Sequence, residues 1–183
     1  MIHRLVAIYR RIDAVYAETA KSAGFSCEGC DGAKCCTVDL TISTLVEMSY
    51  LRQGFNSLPN SQQREILARC RQVISAKEVA PQGELYRNSV CALNSDGACV
   101  LYDYRPMICR FHGMPHFFEG PSGSLVEGEG CVRFQELYQG RNQNLRIDRT
   151  HFYREIASLE IESVRLRGER TEKRTVAETL VTM

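Results

Sequence analysis

Cys27-Glu28-Gly29-Cys30-Asp31-Gly32-Ala33-Lys34-Cys35-Cys36 places four cysteines within ten residues of a short, polar, glycine-rich stretch. Such a stretch has no periodicity for a helix or a strand, so something other than backbone pairing must hold it. Cysteine thiolates gathered on a metal would do so. Cys27 and Cys30 have the two-residue spacing at which a turn directs both sulfurs the same way. Cys35 and Cys36 are adjacent, so their side chains tend to point apart: one faces the metal, the other a second metal or the core.

Moving outward, the chain of 183 residues contains nine cysteines, adding Cys70, Cys91, Cys99, Cys109 and Cys131. In a small secreted protein that density would mean a disulfide framework. The number is odd, the chain is long enough to bury a core without staples, and Met1 to Arg11 has no apolar run of signal-peptide length. No stretch approaches the run of about 20 apolar residues needed to span a bilayer. The expectation is therefore a cytoplasmic protein whose cysteines bind metal or do redox chemistry. Hydrophobic residues make up 44% and charged residues 25% of a chain with formal net charge +1, which fits a globular protein and gives no electrostatic case for nucleic acid or an anionic membrane.

The flanks read as helices. Leu5, Tyr9, Ile12 and Tyr16 recur at helical spacing over residues 3–23, and Gly24 is placed to stop that helix. A second helix is expected from Ile42 to Gln53, capped by Asp39 or Thr41 and ended by Gly54. A third begins at Ser61 with Ile66, Leu67, Cys70, Val73 and Ile74 as its apolar stripe, and Pro81-Gln82-Gly83 breaks it. Cys70 sits at core spacing and reads as a small buried hydrophobe. From residue 88 to 131 the pattern is loop-like, with Asn94-Ser95-Asp96-Gly97 as a turn between Cys91 and Cys99. Pro106 opens a short helix carrying Cys109, and His116–Glu119 with Ser124–Glu127 forms a hairpin. Residues 132–139 read as a short helix. A longer one starts near Asp148 or Thr150 and runs to about Leu166, with Phe152, Ile156, Leu159 and Val164 inward and Gly168 at its end. The tail from 169 reads as a docked helix or a frayed end. The fold class is mainly α: one domain over 1–183, with a small β-hairpin and a loop-built cysteine metal site over about 24–135, flanked by the helix 3–23 and the helical segment 148–183.

Setting Cys70 aside leaves Cys27, Cys30, Cys35, Cys36, Cys91, Cys99, Cys109 and Cys131 as candidate ligands, enough for two four-thiolate sites or for one site plus structural cysteines. Such sites suit tetrahedral zinc or an iron–sulfur cluster. Four thiolates on either carry a net charge near −2, which Arg105, Arg110 and Arg133 would offset, with His112 as a further ligand or as a hydrogen-bond donor beside the site. His116 belongs to the hairpin, and His3 and His151 carry no such context.

The stretch from Cys27 to Cys36, together with Cys99-Val100-Leu101-Tyr102-Asp103-Tyr104-Arg105-Pro106-Met107-Ile108-Cys109-Arg110-Phe111-His112-Gly113, resembles the YkgJ-like cysteine-cluster family, the zinc- or iron-chelating CxxCxxCC domain. Cys131 and the segment Val176 to Leu180 also fit. Four residues separate Cys30 from Cys35, where the family has two or three. The resemblance covers roughly residues 24–135 and implies metal chelation, often described as iron–sulfur binding; some relatives carry the domain within a flagellin lysine methylase. Three functions follow as expectations. The first is an iron–sulfur (4Fe-4S) protein of electron-transfer or metal-dependent accessory type. The second is a structural-zinc scaffold or protein-binding module, and the third a cluster-dependent enzyme of the lysine-methylase kind. No phosphate-binding loop, Ser-His-Asp set or convergent carboxylate pair is legible that would favour the third independently.

Overall fold

The computed structural model describes residues 1–26, 40–79, 90–138, 145–168 and 172–182. Among them the helices are α1 (Ile2–Ala23), α2 (Leu45–Asn56), α3 (Asn60–Val79), α4 (Met107–Arg110), α5 (Val132–Tyr138), α6 (Thr150–Arg167) and α7 (Val176–Val181). The strands are β1 (Thr41–Ile42), β2 (Asn94–Ser95), β3 (Ala98–Cys99), β4 (His116–Glu119), β5 (Leu125–Gly128), β6 (Ile147–Asp148) and β7 (Arg174–Thr175). The fold is mainly helical, and none of the described helices is long and apolar enough to cross a membrane.

The first helix follows its periodicity. Leu5, Ile8, Tyr9 and Ile12 form a buried stripe, and Gly24 ends α1 in the left-handed conformation at φ +65°, which an L side chain rarely adopts. The second helix departs from expectation at both ends. Residues 41–42 form β1, which pairs antiparallel with β7. The helix begins only after Thr44, whose hydroxyl accepts from the Glu47 amide. Thr44-x-x-Glu47 is thus the capping signal, ahead of Asp39 and Thr41. Gly54 does not stop α2 but lies inside it, because the Tyr104 ring packs directly on the face where a Cβ would stand.

Two apolar clusters carry the core. One gathers α1, α4, α5 and α6 through Leu5, Ile12, Phe111, Phe134, Phe152 and Ile156. The other gathers α2, α3 and α7 through Leu51, Phe55, Ile66, Cys70, Leu101 and Leu180. Tyr50 bridges them, 5.7 Å from the Tyr9 ring and 4.8 Å from the Tyr104 ring. Cys70 is fully buried. The tail docks: α7 opens with a complete capping box between Thr175 and Glu178 and buries Val176, Ala177 and Leu180. In α6, Ser163 rather than Val164 is the buried residue of the last inward turn. The expected hairpin forms as β4 and β5, and β4 takes β6 on its other edge in parallel, giving a three-stranded sheet. That parallel pairing is tertiary, since β6 is two residues long and has no strand signal of its own.

Candidate metal centre

Cys27, Cys30, Cys35 and Cys36 lie outside the described residues, and so do the caps expected at Asp39 and the break at Pro81-Gln82-Gly83. The chain on either side of the four cysteines is described. On the N-terminal side, Phe25 is buried and packs edge-on against Phe134, with ring centroids 5.3 Å apart. Tyr138, stacked on Phe134, donates its hydroxyl to the Ala23 carbonyl. The same Phe134 donates its backbone N–H to the Cys131 sulfur at 3.4 Å. The chain therefore leaves for Cys27 from a wall that also holds Cys131. On the C-terminal side, the Leu40 carbonyl accepts from the Val176 amide at 3.0 Å, and Ile42 enters the cluster that has Cys91 and Cys99 at its margin.

Cys131 is brought to the segment after Cys109 by direct backbone contact. The Cys131 amide donates to the Gly113 carbonyl at 3.0 Å. Two glycines permit this approach. A Cβ on Gly130 would stand 2.7 Å from the Gly113 carbonyl oxygen, and one on Gly113 would stand 2.8 Å from the Tyr16 hydroxyl. Both glycines also have positive φ, +84° and +108°. On the other strand of this junction, α4 begins after Pro106, and the Cys109 amide donates back to the Pro106 carbonyl at 3.0 Å.

Cys91 and Cys99 are joined by the small β2–β3 hairpin. Asp96 and Gly97 both take positive φ, which closes a tight turn and sets Asn94 opposite Cys99. The Asn94 amide donates to the Cys91 carbonyl at 2.9 Å, so the hairpin folds Cys99 back toward Cys91. Among the described residues, no three His, Cys, Asp or Glu side chains gather in metal-ligating geometry.

The flanking cations take distinct places. Arg110 is buried, and its nitrogens are engaged by the Asp13 carboxylate at 2.6 Å and by the carbonyls of Arg105 and Asp103. Its guanidinium also lies 4.1 Å from the Tyr9 ring centre. Arg110 thus clamps α4 to α1. Arg105 donates to the Tyr102 carbonyl and stacks on the Tyr102 ring at 3.4 Å. Arg133 stands in the first turn of α5, two residues after Cys131. His112 follows α4 at the surface, yet enough protein crowds its ring that burial, reinforced by the Arg149 charge, pushes its pKa below the usual histidine value. The same two causes lower His116. Both imidazoles are therefore neutral at neutral pH.

Four participating residues were not legible in the sequence. Glu47 is buried, and one of its oxygens accepts from both the Tyr9 hydroxyl and the Met107 amide at 2.8 Å, tying α2 to α1 and to the start of α4. Gly113 and Gly130 set the backbone approach already described. Arg149 lies beneath the 109–113 segment and donates to the Phe111 carbonyl at 2.7 Å. The only signals were the glycines in Cys-Arg-Phe-His-Gly and in Gly-Cys131; Glu47 and Arg149 look like ordinary surface charges. A surface cavity of about 460 Å³ lies elsewhere, between β4, β5 and the start of α6, lined by Phe117, Leu125, Thr150 and His151, with no cysteine. No family model, curated protein or solved structure matches this chain, so the likeness to the cysteine-cluster family stands on the residues quoted for it.

Proposed function

We propose that this chain is a metal-binding protein whose cysteine thiolates hold an iron–sulfur cluster, serving electron transfer or a metal-dependent accessory role. The observation that supports the reading is the junction of Gly113 with Cys131, which sets Cys131 beside the segment following Cys109, with Phe25 packed on the neighbouring Phe134. The donor set is soft thiolate throughout, the chemistry that suits iron–sulfur clusters and zinc. The ligands would come from Cys27, Cys30, Cys35, Cys36, Cys91, Cys99, Cys109 and Cys131, with the neutral imidazole of His112 within three residues of Cys109. A bound cluster would supply one-electron redox chemistry. The residues of this chain would fix the sulfurs, exclude water with Phe25, Phe111 and Phe134, and offset the negative charge.

Zinc remains the alternative occupant because it takes the same donors. Anaerobic purification with a visible spectrum and analysis of iron, sulfide and zinc decides between them. A brown protein containing iron and acid-labile sulfide supports the proposal. A colourless protein with stoichiometric zinc moves the reading to a structural-zinc scaffold or protein-binding module, and a chain that takes up neither metal overturns both.

A further inference from the structure

Arg149 is 2% exposed, and its position is unusual for a charge so deep. One terminal nitrogen donates to the Phe111 carbonyl at 2.7 Å, and the guanidinium lies 4.7 Å from the Phe111 ring centre. Tyr153 supplies a further hydrogen bond, while the Nε–H is buried with no acceptor among the described residues. No carboxylate forms an ion pair with Arg149 among the described residues. Among the described residues the titratable groups that face it are Tyr16, Tyr153, His112 and His116, none of them a carboxylate. The one buried carboxylate in the region, Glu47, acts on Tyr153, and its oxygens are taken by Tyr9, Thr44 and Met107. Burial pushes the Arg149 pKa down to about 10, which still leaves it charged at neutral pH.

An isolated buried charge is costly, and proteins keep one where an opposite charge completes it. The element Arg149 grips is the backbone between Cys109 and Gly113: it holds the Phe111 carbonyl, His112 donates to the Cys109 carbonyl at 3.3 Å, and Gly113 accepts from Cys131. We propose that Arg149 is the fixed counter-charge of the thiolate metal centre, a positioning residue that lowers the cost of gathering anionic sulfurs at Cys109 and Cys131. This inference rests on the metal-centre reading above. It differs from the roles expected for Arg105 and Arg110, whose guanidinium groups are engaged on carbonyls, an aromatic ring or Asp13. Arg149 alone among them is buried without an anion.

The test uses the full chain, freed of metal under anaerobic reducing conditions, with zinc affinity read by competition against a chromophoric chelator. Arg149→Met keeps the volume and removes the charge; Arg149→Lys keeps the charge. The expected result is that Arg149→Met binds zinc at least tenfold more weakly than the parent while its metal-free form unfolds at the same or a higher urea concentration. Arg149→Lys should recover most of the lost affinity. A purely structural role predicts the opposite pattern: the metal-free Met variant is destabilised, and the Lys variant binds no better than Met. Either that pattern or an unchanged affinity in Arg149→Met, with the parent binding zinc, overturns the counter-charge assignment alone. A parent chain that binds neither zinc nor iron overturns the metal-centre reading and this inference with it.

Discussion

Replacing Glu47 by alanine tests whether the wall behind Cys109 is built as described. Glu47 is 6% exposed and accepts from the Tyr9 hydroxyl, the Met107 amide and the Thr44 hydroxyl, each at 2.8 Å. Tyr9 and Met107 are themselves only 2% and 5% exposed, so water cannot easily replace the lost acceptor. Each buried donor left unsatisfied costs about 1–3 kcal/mol, whereas the half-buried Thr44 can rehydrate at little cost. The two buried donors together set the loss at about 4 kcal/mol. In a chain of this length that corresponds to a melting temperature about 8–16 °C lower. The assay is equilibrium urea unfolding of metal-free protein, so that metal linkage does not enter. A double-mutant cycle then isolates the cause. Tyr9→Phe alone should cost about 1–2 kcal/mol, yet in the Glu47→Ala background it removes an orphaned hydroxyl and should be neutral or stabilising. A loss below about 1 kcal/mol for Glu47→Ala, or strictly additive effects of the two changes, would refute the hub assigned to Glu47.

Cys109→Ser or Cys27→Ser should lose bound metal on elemental analysis, whereas Cys70→Ser should retain it and cost about 1–3 kcal/mol for placing a hydroxyl in an apolar core; metal loss in Cys70→Ser would overturn its assignment to the core. Gly130→Ala forces a Cβ to 2.7 Å from the Gly113 carbonyl at a positive φ, so the junction must open, and metal retention after chelator challenge should fall with it. Gly54→Ala meets the Tyr104 ring; the overpacking, about 1–3 kcal/mol, should outweigh the gain of up to about 1 kcal/mol in helix propensity, measured as net destabilisation. Burial, then the charge and hydrogen bond of Glu47, raise the Tyr9 pKa well above its ordinary value. The folded state therefore keeps the neutral phenol, and its stabilising contribution is present below pH of about 10 and is lost as pH rises through the folded pKa. Stability measured from pH 9 to 11 should decline less steeply in Tyr9→Phe than in the parent.

The helices legible in the sequence were those whose apolar spacing spans several turns. Leu5 to Ile12 in α1, Ile66 to Val73 in α3 and Phe152 to Leu159 in α6 lie where their periodicity puts them, and Gly24 and Gly168 stop their helices by a local backbone preference. The start of α2 was misplaced because Thr41 and Thr44 are both good caps, and only β1 pairing with β7 excludes Thr41. Gly54 was misread because a glycine at a helix end and a glycine under an aromatic ring look alike until the ring is placed.

For the proposed site, the sequence by itself supplied the candidate donors: cysteines in a polar stretch without helix or strand periodicity, with Cys70 set apart by its place in an apolar stripe. What only the tertiary structure decided is the scaffold around them. The backbone approach at Gly113 and Gly130, the Glu47 acceptor shared by α1 and α4, and the unpaired depth of Arg149 join residues more than 15 positions apart in the chain. A ligand's chemistry belongs to its own side chain, whereas a carboxylate or a guanidinium reads as solvent-exposed until the chain folds over it and removes the water.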